Sequence, residues 1–88
     1  MPRYFFNLSD GHSPADLEGV EFPDPEAARR AATRYLGQSL ADHPDEYWRR
    51  GDWELIVTDA SGLTLYRLQV VATEAPSIQA TSVPNPAR

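Results

Sequence analysis

Residues 53–72 read WELIVTDASGLTLYRLQVVA, two runs of alternating apolar and polar side chains divided by Asp59-Ala60-Ser61-Gly62. Alternation of period two sends every second side chain to one face, the pattern of a half-buried strand. Residues 53–58 (WELIVT) and 63–72 (LTLYRLQVVA) are therefore predicted strands, rich in the β-branched and aromatic residues that suit a pleated surface. A four-residue connection with glycine last is a hairpin loop, so the two strands run antiparallel. Their apolar face, Trp53, Leu55 and Val57 with Tyr66, Leu68 and Val70, needs a cover.

A helix supplies it. In Asp24-Pro25-Glu26 the aspartate can cap free amides, proline suits the first helical position, and the glutamate complements the positive end of the helix dipole. Ala28, Ala31, Ala32, Tyr35, Leu36, Ser39 and Leu40 then recur at spacings of three and four, which makes one apolar stripe. The alanines let this helix lie close to a sheet. His43-Pro44 ends it, because the residue before a proline is pushed out of the helical region. Residues 44–50 (PDEYWRR) read as one or two further helical turns stopped by Gly51, with Trp48 expected to anchor them to the domain edge.

Upstream, residues 3–8 (RYFFNL) alternate as a strand with Tyr4, Phe6 and Leu8 toward the core, and residues 19–22 (GVEF) suffice for a short antiparallel return strand. The order strand, strand, helix, strand, strand predicts an α+β domain over residues 1–72: a β-β-α-β-β antiparallel sheet with one long helix on one face. Residues 73–88 shift to proline, serine and threonine and are expected to form a flexible C-terminal tail.

Composition narrows the chemistry. At 88 residues the chain is one small domain, which buries only about 60% of its unfolded surface. Cysteine and lysine are both absent, which excludes disulfides, thiolate nucleophiles, Schiff-base chemistry and a Walker-type phosphate loop. No segment is apolar enough for a signal peptide or a membrane span, so the expected setting is the cytoplasm, with no membrane contact. The net charge of −5 argues against a bulk grip on nucleic acid. Arg29, Arg30, Arg34, Arg49 and Arg50 nevertheless cluster, with Tyr47 and Trp48 available for stacking, so a nucleic-acid surface is an alternative.

Asp10, His12, Asp16 and Glu18 form an acidic loop that could hold a hard metal or a small ligand, although Pro14 interrupts it and the spacing matches no calcium loop. His12 and His43 adjoin turn residues and sit in no nucleophile setting, so neither enzymatic activity nor a cofactor is expected. The strongest remaining signal is the second sheet face. Arg3, Phe5, Asn7, Ile56, Leu65, Arg67 and Val71 alternate onto it, and a single long helix cannot cover both faces. An open apolar patch rimmed by charge points to an interface.

RYFF followed by DG, EFPD before an alanine-rich helix, and W…VTD…G in the last hairpin resemble a family of small bacterial proteins known only as a domain of unknown function. Members often carry histidine after RYFF, where this chain has Asn7. The resemblance spans nearly all of residues 1–72 and implies the fold and a cytoplasmic setting, but no activity. A second likeness, to small antitoxin domains of the HicB type, rests on the EFPD-like turn between strands and helix; the extra strand and glycine-cysteine turn of that type are missing here. The expected function is thus a non-enzymatic protein-interaction module, self-associating through the second sheet face or an edge strand or binding another protein. The alternatives are an antitoxin-like or nucleic-acid-associated regulator, and a small-ligand or metal binder through the acidic loop.

Overall fold

The computed structural model describes residues 1–77. Six elements follow in the order β1 (Arg3–Ser9), β2 (Val20–Glu21), α1 (Pro25–Asp42), α2 (Pro44–Arg50), β3 (Asp52–Asp59) and β4 (Thr64–Val71). The strands form one antiparallel sheet in the order β2-β1-β3-β4, an α+β fold as the alternation and capping signals predict. Residues 78–88 of the expected tail lie outside the described residues.

Each boundary has a local cause. The Asp24 side chain accepts a 2.8 Å hydrogen bond from the Ala27 amide and Pro25 opens the first turn, so α1 starts where a capping aspartate and a proline coincide. At its other end the His43 amide donates to the Ser39 carbonyl before Pro44 begins α2. Gly51 ends α2 at φ +87°, a left-handed position that glycine adopts without a steric penalty. In the hairpin loop the Asp59 carboxylate accepts from the Ser61 and Leu63 amides and from the Ser61 hydroxyl. The loop is thereby closed by its own first residue.

The core lies between the helices and one sheet face. Ala28, Ala32 and Leu36 of α1 meet Tyr4, Leu8, Trp53, Leu55 and Val57 of the sheet, with Tyr47 of α2 at one end. Leu55 and Val57 are fully buried, each worth about 1.5–3 kcal/mol over an exposed position. The rest of the α1 stripe is marginal: Ala31, Ser39 and Leu40 are half-buried and Tyr35 is exposed.

Two expectations are corrected here. Tyr47, not Trp48, anchors α2: Tyr47 is 5% exposed, and its ring meets that of Trp53 edge-on at 5.4 Å, whereas Trp48 is 55% exposed. In one short helix the neighbour that faces inward depends on the docking angle, which composition does not encode. The second correction concerns Leu65. Val57 pairs with Tyr66 and Thr58 with Thr64, so Leu65 is the extra residue of a β-bulge and packs against the core. Strict alternation had placed it on the opposite face.

Candidate interaction surface and the acidic loop

The face of the sheet turned away from the helices collects most of the residues that alternation assigns to it. Asn7, Ile56 and Arg67 form one row across β1, β3 and β4, and Phe5 stands beside Thr58 in the next row. Phe5, Asn7 and Ile56 are half-buried, while Arg3, Arg67 and Val71 are exposed. The apolar patch is smaller than expected. Leu65 has left it, and Val71, opposite Asp52, is separated from Ile56 by the Glu54–Gln69 row. Arg67 reaches back to Glu54 at 3.1 Å, and Arg3 pairs with Glu21 at 3.2 Å while also donating to the Glu18 carbonyl. Both pairs are solvated, so they orient side chains more than they stabilise the fold.

No described strand pairs with the outer edge of β4, and the hydrogen-bond phase tells which groups line it. The Ala72 amide donates to the Gly51 carbonyl, so pair 51/72 is of the hydrogen-bonded kind and alternate pairs along the ladder share that state. Arg67, Gln69 and Val71 then stand in non-hydrogen-bonded pairs with β3 and direct their backbone N–H and C=O groups outward. The same phase makes Tyr4, Phe6 and Leu8 point away from β3 on β1, consistent with the Phe22 amide donating to the Pro2 carbonyl.

The acidic loop does structural work with the groups that a metal would need. Asp10 is buried and accepts from the His12 amide, the Ser13 amide and the Ser13 hydroxyl at 3.0, 2.7 and 2.6 Å. Burial pushes its pKa up, but these donors outweigh it, the Ser13 hydroxyl foremost, and hold the carboxyl at about 2. Asp16 accepts from the amides of Phe6, Glu18 and Gly19, so its carboxylate substitutes for a missing strand at the edge of β1. Desolvation opposes this charge too, and the three amides carry its pKa below the ordinary value. Asn7 completes the arrangement by accepting from the Asp16 amide at 2.9 Å. Gly19 sits at φ +70° where a Cβ would lie 2.8 Å from the Tyr4 carbonyl oxygen and 2.9 Å from the Phe5 ring.

The chain's two histidines, 31 residues apart, converge on one carboxylate, which no spacing rule foretells. Glu46 Oε1 is 3.3 Å from His43 Nδ1 and 3.8 Å from His12 Nε2, and with Asp10, Arg49 and Arg50 it lines a cleft of about 300 Å³. The imidazoles are exposed, and among the described residues no group of three His, Asp or Glu side chains is arranged to hold a metal ion. The basic cluster is divided as well. Arg29, Arg30 and Arg34 line a shallow cleft on α1 with Thr33, Arg50 turns to Asp52, and Tyr47, expected to be available for stacking, is in the core. Only Trp48 of that pair is exposed. No helix among the described residues is long and apolar enough to cross a membrane.

Comparison with curated proteins and with solved structures finds no match. The model of one protein family does match, over residues 3–72, from the first residue of β1 to the residue after β4. The chain therefore belongs to the family described as domain of unknown function DUF6894.

Proposed function

We propose that this domain is a non-enzymatic interaction module of the bacterial cytoplasm whose partner is a second copy of itself, joined through the outer edge of β4 and the sheet face beside it. The observation that carries the reading is this edge. β4 is eight residues long and pairs, among the described residues, only with β3, and its outward groups at Arg67, Gln69 and Val71 are set at the two-residue spacing that another strand requires. The Leu65 bulge blunts only the start of the strand, and Val71 remains 69% exposed at the other end. Antiparallel pairing of two such edges is isologous, so one surface serves both copies and the sheet continues across a two-fold axis. The cytoplasmic setting is supported by the cysteine-free sequence.

Gln69→Pro tests the proposal. Proline removes an outward N–H while leaving the ladder to β3 intact, a position where edge strands tolerate it. Light scattering at tens of micromolar should give the mass of two chains for the wild type and of one chain for the variant, with unchanged circular dichroism. A wild type that is monomeric at that concentration, or a variant that remains a dimer, would reject this mode of association.

A further inference from the structure

A second surface, independent of the β4 edge, has the features of a small-molecule site. Between the acidic loop and α1 lies a cleft of about 500 Å³, lined by Phe6 and Tyr35 on one side and by Pro14, Asp16, Leu17 and Glu18 among the loop residues on the other. That volume falls within the range of small-ligand pockets.

Three properties of this cleft go beyond what folding requires. The first is rigidity. The loop is pinned at Asp10 and again at Asp16 by hydrogen bonds to backbone amides, so the wall between these anchors holds its shape without a ligand. The second is the ring system. Tyr4 meets Phe22, Phe22 stacks on Phe6 at 6.0 Å, and Phe6 lies nearly parallel to Tyr35 at 6.5 Å. The inner rings belong to the core and its margin, but Tyr35 is 39% exposed and ends the ladder at the open cleft. Leu17 stands on the opposite lip, 87% exposed and outside the core cluster of the described residues.

The third property is charge. Asp16 and Glu18 line the cleft and no arginine or histidine does. Asp16 is held ionised by its three amide donors, and the Glu18 carboxylate takes part in no ion pair among the described residues. The exposed ring of Tyr35 adds its own negative quadrupole, which attracts cations.

We propose that this cleft binds a small, flat aromatic molecule carrying a positive charge, its ring laid against Tyr35 at the end of the ladder and its cationic group directed toward Glu18. Tryptamine and indole-3-acetate make a suitable pair of probes, since they share a ring and carry opposite charges. In a titration followed by NMR, tryptamine should shift the Phe6 and Tyr35 ring signals and the Leu17 methyls saturably, with a Kd on the order of 1 mM or tighter. Indole-3-acetate should bind about tenfold more weakly, and Tyr35→Ala should weaken tryptamine by a similar factor. Glu18→Gln, at a side chain with no hydrogen bond or ion pair among the described residues, should bring the affinities of the two probes closer together. The proposal is overturned if tryptamine gives no saturable shift, if the two probes bind equally to the wild type, or if neither substitution alters the binding.

Discussion

Replacing Asp10 by asparagine should make the stability of this domain markedly less sensitive to acid. The side chain is 9% exposed and its carboxylate gathers three donors, which lowers its pKa from 3.8 to about 2. A group whose folded pKa is depressed favours the folded state above its unfolded pKa, and that contribution is lost as the pH falls through the folded value. Here a shift of this size corresponds to about 2 kcal/mol, fully present above about pH 5, mostly lost by about pH 2 and gone near pH 1. A domain of this length has on the order of 5 kcal/mol in total, so the loss is large enough to measure. Asparagine retains an oxygen for the His12 and Ser13 amides but not the charge. Urea unfolding between pH 7 and pH 2.5 should show the variant weaker by about 1–2 kcal/mol at neutral pH, with the difference closing as the wild type is acidified. A difference that stays constant across that range, or is zero at pH 7, would refute the assignment of the stabilisation to the ionised carboxylate.

Gly19→Ala should cost more than about 2 kcal/mol in chemical denaturation, because its Cβ would collide with the Tyr4 carbonyl at a positive φ; Gly62→Ala, also at positive φ but facing open space, should cost only about 1 kcal/mol. Tyr47→Phe should leave the melting temperature unchanged or slightly raised, since the buried hydroxyl has no hydrogen-bond partner among the described residues, whereas Tyr47→Ala should cost about 3–5 kcal/mol. Trp48→Ala, on the exposed side of the same short helix, should cost under about 1 kcal/mol by the same measurement. Leu55→Ala, at the fully buried centre of the sheet, should lose about 2–5 kcal/mol and bring the domain close to unfolding at room temperature.

What the sequence makes legible here is local, and what it hides is long-range. Period-two alternation located β1, β3 and β4, and Asp24-Pro25 with His43-Pro44 located the ends of α1, because each signal depends on neighbours within a few residues. The bulge at Leu65 was hidden because its evidence is a register mismatch between two strands and not a feature of either one. Tyr47 and Trp48 exchanged roles for a similar reason, as the choice rests on how α2 docks against Trp53. In the acidic loop the residue types were plain and their use was not. Asp16 serves the Phe6 amide and Asn7 serves the Asp16 amide, across nine and ten residues of chain that no spacing rule connects. The same holds for His12 and His43 at Glu46, and for the ring ladder that ends at Tyr35.

The clasp between Ala72 and Gly51 has a consequence for the order of events in folding. With Asp59 closing the turn at one end and the Ala72–Gly51 bond closing the other, β3 and β4 form a hairpin complete in its own sequence, and hairpins assemble within about 1–10 μs. β1 has near it in sequence only the two-residue β2. Its long pairing partner is β3, made only after both helices, and at about 5–20 residues per second a ribosome leaves the first strand waiting for seconds. Throughout that interval Tyr4, Phe5 and Phe6 have only the two-residue β2 to pair with, so β1 completes its burial last among the strands.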